Sequence, residues 1–216
     1  MKEITFSGNA TSVPSPRDNH ERKDNQGAIT GEPPLAEAGS GPDGPAPTVR
    51  MLAWAKNSAA YRLSRKMMTE RELSTAIVRK AKQKFEDITE AQLAAVARTA
   101  VDFGVRVGAL DDKTYAEVKV RSGVRVGKSR RLIAQKLREK GVEAQTATEA
   151  LQDADDRVAA VAFARKRGFG PYRRHALDDK RLAKELSAFA RNGFSFELAR
   201  AVLDMDADEA DAVAAR

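Results

Sequence analysis

The chain has no cysteine, which excludes disulfides and thiolate-held zinc. Its only histidines are His20 and His175, far apart and outside any His-rich helix, so neither a metal nor another cofactor is expected. Aromatic residues make up only 6% of the chain, and alanine supplies much of the 42% apolar content. That composition favours small helix-on-helix contacts over a thick sheet core. No apolar run approaches the roughly 18 residues of a membrane span. The opening residues MKEITFSGNATS lack the apolar stretch of a signal peptide. A soluble, cytoplasmic protein is expected. Proline is nearly absent beyond residue 48, since residues 1–48 hold seven of the eight. Those residues also carry few large apolar side chains and cannot bury enough surface to offset their ordering entropy. They are expected to form a disordered tail.

What the chain does have is charge. Across 216 residues, enough for one or two domains, Lys+Arg 38 against Asp+Glu 31 gives a net charge of +7. Residues 1–50 hold five basic and seven acidic residues, leaving 33 basic against 24 acidic in 51–216. The part expected to fold is therefore the cationic part. Such a charge draws in polyanions through counterion release and speeds encounter with them.

From Val49 the apolar residues recur at helical spacing. A first helix is expected over Arg50–Met67, with Trp54 and Tyr61 on one face. Thr69 and Glu72 form a capping box that opens a second helix carrying Leu73, Ala76, Ile77 and Ala81 inward. Thr89 and Gln92 repeat the box before Leu93, Val96, Ala97 and Ala100. Asp111-Asp112 open a fourth helix, with Tyr115 and Val118 inward. A fifth follows Gly127, with Ile133 and Leu137 inward and Gly141 at its C-terminal cap. A sixth is expected from Thr146, with Glu149 completing a box. Asp155-Asp156 open a seventh, stopped by Gly168, and Asp178-Asp179 an eighth bearing Leu182, Leu186 and Phe189. Ser195 caps a ninth, with Leu198, Ala201 and Val202 inward. The same ten-residue interval separates Gly141 from Leu151 and Gly193 from Leu203.

Helical units this short, with narrow alanine-rich stripes, bury their faces only against each other and the next unit. The expected fold is all-α, with three tandem three-helix repeats in an elongated, curved array. The expected divisions are a tail over 1–48, repeats over 49–107, 108–154 and 155–204, and an acidic end over 205–216. That end, with the run DMDADEADAVAAR that begins at Asp204, is expected to be a frayed helix or a solvating end.

Two motifs invite an enzymatic reading and fail. Gly127-Lys128-Ser129 resembles the end of a phosphate-binding loop. That pattern requires glycine where Ser122 stands, and a preceding strand where the pattern is helical. The paired aspartates sit at helix starts, where carboxylates satisfy free N–H groups, and adjacent helical residues diverge by about 100° and chelate poorly. No nucleophile–base set is present, and no catalytic residue is assigned.

The basic clusters carry more. Eight cations and one acid lie between Arg121 and Lys140: Arg121, Arg125, Lys128, Arg130, Arg131, Lys136, Arg138 and Lys140 against Glu139. Arg165, Lys166, Arg167, Arg173 and Arg174 surround a Gly-Phe-Gly-Pro-Tyr turn. Lys180, Arg181, Lys184 and Arg191 follow on the eighth helix. An inside-apolar, outside-basic plan repeated on two helices points to a basic stripe for a polyanionic partner.

At these residues the sequence resembles the RecX family of recombination regulators. The resemblance is carried by Gly108 to Ala116, Arg130 to Val142, and Leu182 through Phe194 with Leu203, and it covers about residues 55–203. It departs in the first unit, where Ala81 stands at a usual glycine and Lys82–Asp87 look inserted. What the resemblance implies is an all-helical, non-enzymatic protein. Such a protein binds the RecA recombinase and its DNA filament, suppresses ATPase and strand exchange, and thereby restrains recombination and the SOS response. DNA would be bound weakly and non-specifically by a monomer, and the cations above, except Lys140, would meet RecA or DNA. The alternative is a helical DNA- or RNA-binding regulator acting without RecA, which predicts sequence-selective duplex binding, usually by a two-fold dimer.

Overall fold

The computed structural model describes residues 46–215. The tail expected over 1–48 lies outside them, but for its last three residues. The described residues form ten α-helices and no strand. The first repeat comprises α1 (Val49–Leu63), α2 (Glu70–Lys84) and α3 (Glu90–Arg106). The second comprises α4 (Asp112–Arg125), α5 (Arg130–Glu139) and α6 (Ala144–Ala150). The third comprises α7 (Asp156–Arg167), α8 (Asp179–Arg191) and α9 (Phe196–Asp204), with a 3₁₀ turn at Gly170–Tyr172, and α10 (Ala207–Ala214) follows.

Each repeat has its own core. In the first, Leu73, Ile77, Leu93 and Val96 meet Ala55, Ala59 and Ala100. In the second, Tyr115, Val120, Ile133 and Leu137 meet Ala147 and Leu151. The third is built on phenylalanine: Phe163 lies edge-on to Phe189 at 5.0 Å, and Phe189 to Phe194 at 5.6 Å. Such pairs add to burial through their ring quadrupoles. Val124 on α4 touches both the second and third cores.

The helix starts follow from side-chain chemistry. Thr69 Oγ1 accepts from Glu72 N at 3.1 Å while Glu72 Oε2 accepts from Thr69 N at 3.4 Å, completing the first box. Thr89 and Gln92 complete the second. The sixth helix differs from expectation: it starts at Ala144 after Glu143, with no side-chain cap, and Thr146 lies inside it. A T-x-x-E spacing also fits a helix interior, where Thr148 Oγ1 donates to Ala144 O. The first helix ends at Leu63, not Met67, and on α9 the inward residue is Ala199 rather than the exposed Ala201. The inserted segment of the first repeat is absorbed by α2 continuing to Lys84. Phe85 then meets the Trp54 ring edge-on at 5.3 Å, and Asp87 turns the chain at φ 53°.

The repeats are joined through their caps. Thr69 Oγ1 donates to Lys140 O at 2.6 Å, and Ser129 Oγ donates to Asn192 O at 2.6 Å. Both hydroxyls are fully buried, and each also accepts from the third amide of its own helix. The second-helix N-cap of one repeat thus holds the second-helix C-cap of the next. The paired aspartates split their work across the same seam. Asp111 and Asp155 cap their own helices. Asp112 accepts from Glu70 N at 3.0 Å, and Asp156 from Arg130 N at 2.6 Å, each satisfying a free amide of the preceding repeat. Gly141 and Gly193 stand at this seam with φ of 89° and 82°. A Cβ there would lie 2.5 Å from the Arg71 side chain or from Ser129 Oγ, so glycine meets both the turn and the close approach.

The acidic C-terminal end, expected to fray or solvate, is a docked helix. Ala210 and Val213 of α10 are buried in the third core, Glu209 pairs with Arg157 at 2.7 Å, and Asp211 pairs with Arg165.

Candidate functional site

The cations at the end of α7 and the start of α8 come together. Arg165, Lys166 and Arg167 occupy the last turn of α7, where positive charge suits the carbonyl end of a helix. The 3₁₀ turn folds the chain back so that Arg174, Lys180, Arg181 and Lys184 face them across a cavity of about 850 Å³. Among the described residues Lys166, Arg167, Arg174, Lys180, Arg181 and Lys184 have no ion-pair partner. Two expected binding cations are already engaged. Arg173 donates through Nε and Nη2 to Glu185 at 3.0 and 2.7 Å. Glu185 is 2% exposed and also accepts from Gly170 N. That bidentate bond holds the Arg173 guanidinium above its ordinary value and ties the 3₁₀ turn to α8. Arg173 is therefore half-buried in the wall of the cavity, with its guanidinium held by that pair. Arg165 pairs with Asp211 and lies over the Tyr172 ring at 5.1 Å.

Arg121 and Arg125 line a second, larger groove of about 1350 Å³ between α4 and α7. They share it with Arg165 and Lys166 above an apolar floor of Val120, Val124, Val158 and Ala162. Acids interrupt its rim, and Arg121 already lies 3.9 Å from Glu117.

Lys128 and Lys136 fall in a third place, a cavity of about 510 Å³ at the seam of the first two repeats, with Lys66, Lys119 and Lys140. Here Gly127-Lys128-Ser129 is the α4–α5 turn, with Ser129 as the helix cap. Burial, then the cations of Lys136, Lys119 and Lys166, hold the Lys128 ammonium below its ordinary value. Lys140 lies 2.6 Å from Glu72, which raises the lysine. On Glu72 burial acts against ionisation, but Lys140 and the Thr69 amide outweigh it and leave the carboxyl below its ordinary value. Arg130, Arg131, Arg138 and Arg191 are exposed and line none of these cavities.

The sequence reading assigned no binding cations to the first repeat. Arg62, Arg65, Lys66, Arg71 and Arg79 line a cavity of about 560 Å³ with Tyr61, closed by Glu139 and Lys140 of the second repeat. Arg65 lies over the Tyr61 ring at 5.3 Å and donates to its hydroxyl at 2.7 Å, and Arg62 Nε is buried without a partner. The signal was available, since Arg62, Arg65 and Lys66 are as dense as the later clusters.

No group of three or more potential metal ligands occurs among the described residues, and none of their helices is long and apolar enough to cross a membrane. The family model described as "RecX, second three-helix domain" matches residues 111–151. Over 165 residues the chain is 61% identical to the regulatory protein RecX of Agrobacterium fabrum, covering 76% of this chain and 90% of that one. Over 183 residues it is 35% identical to the regulatory protein RecX of Myxococcus xanthus, covering 79% of this chain and 98% of that one. The crystal structure of RecX from Lactobacillus salivarius shares the fold with a TM-score of 0.54 at 21% identity, covering 76% of this chain and 99% of that one. With identity of this extent across nearly the whole length of its relatives, the chain belongs to the RecX family of regulatory proteins.

Proposed function

We propose that this chain is a negative modulator of the RecA recombinase that binds RecA and its nucleoprotein filament, lowers ATPase and strand exchange, and so restrains recombination and the SOS response. The observation that carries the reading is the third-repeat cavity, where Lys166, Arg167, Arg174, Lys180, Arg181 and Lys184 converge without ion-pair partners. Cations gathered in a concave site raise the local concentration of polyanions and steer their approach. A partner that presents protein surface beside phosphates would meet them together with the mixed, apolar-floored groove between α4 and α7. Family membership supports RecA as that partner, and nothing in the reading needs a catalytic group.

The test is RecA's DNA-dependent ATPase with this protein titrated in. Inhibition that saturates with added protein is expected, and no inhibition at any ratio overturns the reading. Sequence-selective duplex binding without RecA would favour a DNA-binding regulator instead. Arg131 and Arg138 are exposed on α5, so Arg131→Glu/Arg138→Glu should weaken inhibition while helicity stays unchanged by circular dichroism. Unchanged inhibition would remove that face.

A further inference from the structure

The cavity at the seam of the first two repeats differs in chemistry from its neighbours. Its cations are all lysines, whereas the first- and third-repeat cavities are rich in arginine. Four of them arrive from separate segments: Lys66 from the α1–α2 turn, Lys119 from α4, Lys128 from the α4–α5 turn and Lys136 from α5. The one acid in the lining, Glu72, is already held by Lys140 at 2.6 Å. None of the other four has an ion-pair partner among the described residues.

This arrangement works against the stability of the unliganded chain. Lys128 is half-buried, and its charged neighbours Lys136, Lys119 and Lys166 are all cations that disfavour its protonation. Like charges gathered in this way repel, and more strongly at the effective dielectric of a protein surface than in bulk water. An anion placed among the lysines attracts each of them and offsets the repulsion between them.

We propose that this cavity binds a compact oligophosphate, the phosphate chain of a nucleotide or of an inorganic polyphosphate. About 510 Å³ suits a small ligand and falls within the range of about 300–1,000 Å³ typical of such sites. Cations converging from four segments suit a clustered charge rather than a strand passing along a line. Lysine is a compact point charge that serves phosphate without the planar geometry an arginine fork imposes. The site goes beyond the RecA reading and requires neither RecA nor DNA.

Titration calorimetry on the full chain at about 50 mM salt, where phosphate contacts are least screened, tests it with three probes: tripolyphosphate, ATP and a single-stranded oligonucleotide. Tripolyphosphate should bind once per chain. Lys128→Gln/Lys136→Gln should weaken it by at least about tenfold, the loss of charge-assisted contacts. Arg174→Gln/Lys180→Gln, in the third-repeat cavity, should leave it unchanged. The lysine variant should melt no lower than the parent, because repulsion is relieved, so its loss of binding is not loss of fold. ATP binding with the same lysine dependence identifies a nucleotide as the source, and tripolyphosphate alone identifies polyphosphate. Absence of saturable tripolyphosphate binding, or equal losses in both variants, overturns the proposal. So does oligonucleotide binding that depends on Lys128 and Lys136 when tripolyphosphate does not bind.

Discussion

A hydroxyl both donates and accepts from one atom, and the repeat seams use both capacities. Ser129 Oγ accepts from Leu132 N at 3.2 Å and donates to Asn192 O at 2.6 Å, and Thr69 does the same toward Glu72 N and Lys140 O. In the third repeat the equivalent cap is Asp178, which only accepts, from Arg181 N at 2.7 Å. Among the described residues α10, and not another three-helix repeat, follows α9, and Asp178 has no neighbouring carbonyl to donate to. Ser129→Ala should therefore cost about 2–4 kcal/mol, a lost cap plus an orphaned carbonyl. Ser129→Asp should cost at least as much, since a carboxylate cannot donate to Asn192 O. Asp178→Ser should stay within about 0.5 kcal/mol. Urea denaturation measures all three, and equal costs at the two caps would refute the two-sided role. A second residue-scale test concerns Arg173, which is 14% exposed against a nearly buried Glu185. Arg173→Met leaves that carboxylate unpaired and should cost about 3–5 kcal/mol, while Arg173→Met/Glu185→Leu should recover most of the loss. Additive losses would show that the two residues act separately.

At the scale of elements, the seam between the first two repeats responds to pH through Glu72 and Lys140. Glu72 is held below its ordinary value near 4.5, so its contribution is present above that value and is lost as pH falls through the lower folded one. Lys140 is held above its ordinary value near 10.5, so its contribution is present below that value and is lost as pH climbs through the higher folded one. Glu72→Gln should flatten the acid limb of stability below about pH 4.5, read from melting temperatures across pH. An unchanged limb would assign acid sensitivity to other carboxylates. The same elements show what local sequence makes legible. The Thr69 and Thr89 boxes and the Asp111 and Asp155 caps were legible because each satisfies amides within three residues. The second role of Asp112 and Asp156 was not, since their acceptors serve helices 42 and 26 residues away. The docking of α10 was hidden because its burial rests on Ala210 and Val213 amid a run of acids. The pairing of Arg173 was not legible either, because its partner is a buried carboxylate twelve residues on, which no local pattern announces. The first-repeat cations were legible as a cluster, but the cavity they line was not, because its wall of Glu139 and Lys140 arrives only when the second repeat docks.

Across the described part of the molecule, stacking converts a diffuse positive charge into a few concave sites. Residues 51–216 carry 33 basic against 24 acidic residues, but several acids are consumed internally, by Arg157, Arg165, Arg173 and Lys140. Many of the cations left over line the cavities, although Arg130, Arg131, Arg138 and Arg191 do not, and Lys166 lines both the third-repeat cavity and the α4–α7 groove while standing among the neighbours of Lys128. If these cations meet phosphates directly, affinity for duplex DNA must fall with salt in proportion to the contacts made, by about 0.9 in log–log slope for each. Neutralising Arg167, Arg174, Lys180 and Lys184 together should then reduce the slope by up to about 3.6, whereas neutralising the already paired Arg157 and Arg165 should change it by less than about 1. The comparison uses binding isotherms on one random-sequence duplex between about 50 and 200 mM salt. Equal changes in the two sets would mean that net charge alone governs binding. A slope unmoved by the first set would place the phosphate contacts in another repeat, and the same measurement on the Arg62, Arg65, Arg71 and Arg79 cluster would then identify the first-repeat cavity as the one that carries them.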